Sequence, residues 1–231
     1  PLIILESGNP YNLTMDMFQH RYYKVNKIVM TIIGQWPYQA IGVRCGIIAV
    51  LSLLSISQAI PQTVIFINQH DDWEFLLDCI VATIFHAASI LKFLLCLWNS
   101  QKMLKLLNYI RSDWKMWAPY REVNILHKYA QRGREMTIAY AACTFGAMIL
   151  FFILCLSPII LDFVNPLNET RPKIYIIEVE YGVDADKYYW CIIAHTYIAA
   201  GTAITMMVAF TTMYILGVVH ACALFEVVGC V

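Results

Sequence analysis

Six histidines, His20, His70, His86, His127, His195 and His220, are the side chains best suited to acid–base or metal chemistry, and their spacing supports neither. No two form the HxxxH or HxxHH arrangement that places metal ligands on one helix face. The carboxylates all fall outside the long apolar runs, so no proton relay through a membrane is encoded. There is no glycine-rich phosphate loop and no GxSxG nucleophile turn, and the basic stretch of the chain lacks the aromatic interleaving of a nucleic-acid site. We expect no catalytic residue, no metal, no cofactor and no nucleic-acid partner; the chain does not read as an enzyme. Eight cysteines lie mostly in or beside the apolar runs, where cysteine behaves as a small apolar residue. Cys79 and Cys191 both fall near the outer ends of their helices, but spacing alone does not show that they meet.

Positioning these residues is the task of four apolar stretches free of Asp, Glu, Lys and Arg: Cys45 to His70, Cys79 to Leu91, Met136 to Leu161 and Tyr188 to Phe225. A bilayer core of about 30 Å needs about 20 residues of helix. Three of the stretches meet that length. The second meets it when Lys92 is included near the inner end, with its ammonium lifted toward the headgroups. Trp36, Tyr38, Trp73, Trp98, Tyr188, Tyr189 and Trp190 fall near span ends, as an aromatic belt requires. With 60% hydrophobic residues, the fold class is all-α, a polytopic membrane helix bundle with four transmembrane helices.

The chain has no net charge, yet its charges are sorted. Arg21, Lys24, Lys27 and Arg44 precede the first span, and Lys102, Lys105, Arg111, Lys115, Arg121, Lys128, Arg132 and Arg134 follow the second. Asp71, Asp72, Glu74 and Asp78 lie after the first, and Asp162, Glu169, Glu178, Glu180, Asp184 and Asp186 after the third. Basic loops stay cytosolic. The expected order is a cytosolic segment 1–44, spans at 45–66, 76–98, 136–161 and 188–216, outer loops 67–75 and 162–187, a cytosolic loop 99–135 and a cytosolic extension 217–231. An inside amino end is inverted relative to G-protein-coupled receptors. The sequon at Asn168 would face outside and accept glycan, while the one at Asn12 would stay bare.

Within the basic loop, Met103, Leu107, Ile110, Trp114 and Trp117 recur at helical spacing until Pro119, which predicts an amphipathic helix lying on the membrane, on a neighbouring helix or on a partner subunit. A second helix from about Glu122 should run straight into the third span. The acidic loop has a strand-like run, Ile174 to Val179, and fits either a lid over an outer pocket or a plain connection. Gly201, Thr205 and Ala209, four apart, predict a close helix-packing face.

Two imidazoles remain inside the spans. His86 lies eight residues after Asp78 and His195 eight after Lys187, so both should sit about 12 Å below the outer surface. The third span, running the other way, brings Phe151, Phe152, Leu154 and Cys155 to that layer. This pattern suits an apolar pocket with a few hydrogen-bonding groups for a small, largely nonpolar ligand, or polar side chains that simply pair within the bundle.

Three segments resemble the insect odorant receptors, a divergent seven-span family, with a hymenopteran flavour. They are Tyr22-Tyr23-Lys24-Val25-Asn26-Lys27 leading to Gly34-Gln35-Trp36-Pro37-Tyr38; Lys128-Tyr129-Ala130 with Gly133-Arg134 through Tyr140; and His220-Ala221-Cys222-Ala223-Leu224-Phe225-Glu226. The resemblance implies an odorant-gated cation channel in the plasma membrane of sensory neurons, in which a ligand-tuned subunit joins a co-receptor in a heterotetramer surrounded by membrane lipid. It implies a small hydrophobic volatile ligand held in the outer half of the bundle, with Thr83, His86, Phe152, Cys155, Tyr189 and His195 as candidate contacts. It also accounts for the length from Tyr188 to Phe225, about 57 Å as helix, since the family's fourth helix continues into the cytosol. The family's fifth to seventh helices, including the pore-lining one, have no counterpart in these residues, so the chain reads as a fragment or truncated product. The rival expectation is a four-span structural or accessory protein without channel activity. Internal repeats or broken helices, which a transporter would show, are not seen.

Overall fold

A computed structural model describes residues 17–68, 73–165 and 171–230, with the side chains at 73–76 and 78 left aside. After a short 3-10 turn at Met17–Gln19, six α-helices follow: α1 Lys24–Ile32, α2 Ile41–Asn68, α3 Trp73–Trp98, α4 Ser100–Trp117, α5 Val123–Val164 and α6 Tyr189–Cys230. The protein is all-helical, with no strand among the described residues. Four helices are long and apolar enough to cross a membrane: α2, α3 from Cys79, α5 and α6. Asn12 and Asn168 lie outside the described residues.

Lipid offers no hydrogen bonds to the backbone, so apolar runs of this length close their bonds within themselves as helix. Both α5 and α6 run unbroken for 42 residues, about 63 Å each. The helix expected from Glu122 therefore does continue into the third span, and the apolar run after Tyr188 is continuous. Two prolines lie inside spans, Pro61 in α2 and Pro158 in α5, each removing the donor for a carbonyl one turn earlier. At Pro158 that carbonyl belongs to Leu154, and the Ser157 hydroxyl donates to it at 2.7 Å.

Helix α6 is the central post, packed against α1, α2, α3 and α5. Its buried stripe includes Ala199, Ala203, Met206, Ala209, Met213, Leu216, His220, Ala223 and Val227. Small residues at the upper positions let neighbouring backbones approach. Of the predicted packing face, only Ala209 is buried; Gly201 and Thr205 are part-exposed and line a groove instead.

The densest packing lies at the end of the bundle that carries the basic segments. Phe18, Tyr22, Tyr23, Met30, Ile33 and Trp36 join Leu107 and Ile110 of α4 with Met206, Met213 and Leu216 of α6. The stripe of α4 thus seats on helices of its own chain. Asn26 donates to the Thr212 carbonyl at 2.8 Å, Gln35 to the Phe93 carbonyl at 3.1 Å, and the Trp114 indole to the Tyr23 hydroxyl at 2.7 Å. Asp113 pairs with His220 at 2.9 Å across α4 and α6. A turn at Gly34 makes this packing possible. Its φ is +69°, and a Cβ there would sit 3.0 Å from both the Arg44 carbonyl oxygen and the Ile47 Cβ.

Several expectations change. Trp98, Tyr188 and Trp190 are exposed as belt residues should be, but Trp36 and Tyr189 are buried in the protein. The Lys92 ammonium lies 5.5 Å from the Phe210 ring centroid on α6. Residues 174–179 form an irregular segment rather than a strand.

Two predictions follow from the basic end. Gly34→Ala should cost about 1–3 kcal/mol through the left-handed backbone and the clash, read as a lower melting temperature in detergent. His20 and His127 are held below their ordinary 6.5, first by burial, then by Arg21 and, for His127, also by His20. The folded state then binds fewer protons than the unfolded one. Stability should be complete above about pH 6.5 and fall as pH drops through the folded values. His127→Phe should flatten that part of the profile in a series of melts.

Candidate functional site

The inward face of α2 inverts the usual order of a helix. Its Ile, Leu and Val residues at positions such as 50, 53, 56, 60 and 67 are exposed, whereas Ser55, Gln58, Pro61, Gln62 and Ile65 are buried. Lipid on the outside explains the inversion, because amides belong against the bundle where partners exist. Those partners are the two histidines of the spans. The Gln62 Oε1 can only accept, so His86 donates to it through Nδ1–H at 3.1 Å. Ser89, one turn below and fully buried, donates to the His86 carbonyl at 2.7 Å.

His195 is fixed more tightly. The Ser57 hydroxyl donates its one proton to the Leu54 carbonyl at 2.9 Å, so it accepts from His195 Nε2–H at 2.9 Å. Nδ1 is then an acceptor, and the Tyr181 hydroxyl donates to it. A single neutral tautomer satisfies the whole chain Tyr181–His195–Ser57–Leu54. Tyr181 comes from the acidic loop, which also bonds α2 through Glu180 N–H to the Pro61 carbonyl at 3.1 Å. Gly182, at a φ of +66°, turns the loop away again and donates its N–H to the Glu180 carboxylate at 2.7 Å. The loop is further tied by Arg171 to Asp162 and by Lys173 to Asp186. It therefore inserts a side chain into the bundle rather than merely joining two helices.

The other candidates divide. Thr83, one turn before His86, has its hydroxyl bonded to the Cys79 carbonyl of its own helix at 2.8 Å. Phe152 packs on Tyr197 with ring centroids 4.4 Å apart, and Cys155 is buried on the same helix. Tyr189 is buried beneath the loop: its hydroxyl donates to the Ile174 carbonyl at 3.5 Å, with Tyr175 and Lys173 over its ring. Thus His86 and His195 both engage α2, while Phe152 and Tyr189 belong to contacts of α5 and α6 with each other and with the loop. Cys79 is buried and Cys191 exposed.

Reasoning from the sequence overlooked Ser57, Gln58, Gln62 and Tyr181. A usable signal existed: Ser55, Gln58 and Gln62 are three and four apart within an otherwise apolar run, which is one helix face. Gln58 is 1% exposed with both amide atoms unpartnered, and Gln62 is 2% exposed with Nε2 unpartnered. Toward the basic end, a groove of about 260 Å³ lies among Leu51, Phe145, Met148, Ile198, Gly201 and Thr205. Among the described residues no cluster of His, Cys, Asp and Glu could hold a metal ion.

The chain was compared with protein-family models, curated proteins and solved structures. None matches.

Tyr181→Phe removes the donor to His195 Nδ1 and should cost about 1 kcal/mol, with faster hydrogen exchange over 174–187. In a double-mutant cycle with His195→Ala, the two changes should couple by about 1 kcal/mol. Additive effects would show that the contact does not hold the loop.

Proposed function

We propose that this chain is the ligand-binding membrane portion of an odorant-receptor subunit, which in its full-length form gates cations together with a co-receptor. The observation that carries the proposal is the buried polar face of α2, engaged by His86 and His195. Buried amides without partners cost free energy in a low-dielectric interior, and a small neutral ligand with a hydrogen-bonding group would offset that cost.

Further support comes from the segments that resemble the family. Tyr22, Tyr23, Asn26, Gln35 and Trp36 are core residues of the basic end, and His220 and Ala223 are buried on α6. At about 63 Å, α6 is slightly more than twice as long as a bilayer core of about 30 Å. On its far portion Tyr214, Val218, Phe225 and Val228 are exposed, an apolar face suited to a co-receptor subunit. On this reading the site is the plasma membrane of sensory neurons, and the ligand is a volatile that arrives through air or lipid.

Co-expression of the full-length subunit with a co-receptor in oocytes should give inward cation currents to some members of a panel of neutral volatiles, and none without the co-receptor. His195→Ala should shift the rank order of ligands, by about tenfold in half-maximal concentration for the most affected, at normal surface level. Silence across the panel at normal surface level overturns the receptor reading; superimposable dose–response curves overturn the role of His195.

A further inference from the structure

A cavity of about 20 Å³ lies at the basic end, among the turn that leads into α1, the first turns of α5 and the lower part of α6. Its walls include Tyr23, Asn26, Arg134, Thr137 and His220. A space of that size holds one water-sized atom. Thr83, Thr144, Thr196 and Thr205 each return their hydroxyl to a carbonyl of their own helix. Thr137 does not. It is 1% exposed, its hydroxyl has no partner among the described residues, and yet that oxygen is not one of the sealed atoms of the interior. The little surface it keeps opens on the cavity.

The walls are rich in donors. The Tyr23 hydroxyl accepts from the Trp114 indole at 2.7 Å, which leaves its own proton to give. Asn26 gives one N–H to the Thr212 carbonyl at 2.8 Å and keeps the other. Among the lining residues Arg134 alone carries a permanent charge. It is half-buried and stands two residues before Met136, where the apolar run of α5 begins, so it lies at the edge of the span. No acid pairs with it among the described residues. Those around it are engaged elsewhere: Asp113 bonds to His220 at 2.9 Å, Glu226 to Lys128 at 3.3 Å and to Tyr129, and Glu135 accepts from Gln131 at 2.6 Å. A guanidinium half-withdrawn from water without a counter-charge presents a planar fork that fits the oxygens of a phosphate.

We propose that this cavity is a phosphate site, with one terminal oxygen of the phosphate against Thr137 and the remaining oxygens held at its mouth by Arg134. Size and charge select a bare phosphate over a choline headgroup: the cavity takes a single oxygen, and a choline would bring a second cation toward Arg134. Two sources offer that chemistry, the headgroup of a phosphatidic-acid lipid and free phosphate in water. Bound here, either ties the segment before α1 to α5 and α6, and so stabilises the folded chain. The site lies at the other end of the bundle from the contacts of His86 and His195, and it does not depend on the receptor reading.

The test follows the melting of the purified chain in an uncharged detergent by its tryptophan fluorescence. One arm adds inorganic phosphate, with chloride at matched ionic strength as its control. The other mixes phosphatidic acid into the micelles in phosphate-free buffer, with phosphatidylcholine as its control. Inorganic phosphate or phosphatidic acid should raise the melting temperature, and neither control should. Arg134→Gln should raise the half-maximal amount of the active probe about tenfold or more, the weight of a charge-assisted hydrogen bond. Thr137→Val, of nearly the same shape, should raise it about fivefold and serves if Arg134→Gln fails to fold. A shift with phosphatidic acid alone identifies the lipid as the source, and one with inorganic phosphate alone identifies the free ion; both support the site when the variants weaken them. No shift in either arm, a shift that a control reproduces, or a shift that a folded variant keeps undiminished overturns the proposal, and the cavity then holds water only.

Discussion

A bilayer interior contains no water to receive a hydrogen bond, and most of this molecule follows from that one constraint. It closes the backbone into four long helices and gives Leu154 a serine hydroxyl where Pro158 withholds an amide. It also turns the polar side of α2 inward, so that Gln62 and Ser57 meet His86 and His195 rather than lipid. The outer faces are then left to Ile, Leu, Val and Phe side chains, whose exposure would be anomalous in water.

The same constraint decides where the molecule is densely packed. Lipid tails are as apolar as the side chains they touch, so burial inside a membrane gains little hydrophobic free energy. The large apolar core is found toward the basic end, where residues 17–36 and α4 join the lower parts of α3 and α6. The upper bundle relies instead on small residues of α6 and on a few directed hydrogen bonds. One end is held by area, the other by geometry.

Much of this was legible in the sequence. Spans follow from composition and charge sorting, which are local; the stripe of α4 follows from helical period, and the long courses of α5 and α6 from apolar runs that continue as helix in lipid even across Pro158. What escaped were contacts between distant segments. Nothing near Tyr181 announces that it reaches His195, and Ser57 reads as an interruption until α2 is set against α6. The strand suggested by Ile174 to Val179 failed for a related reason: a strand needs a partner, and no described segment provides one. Gly201 and Thr205 have the right sizes for a packing face, yet the space before them is left as a groove.

The loop meets α2 through a backbone amide, Glu180 N–H to the Pro61 carbonyl, and this contact makes no demand on side-chain identity. Any residue but proline at 180 preserves it. The outer loop is therefore free to diverge around a fixed anchor, and a lineage could retune what the loop displays while Tyr181 keeps its seat.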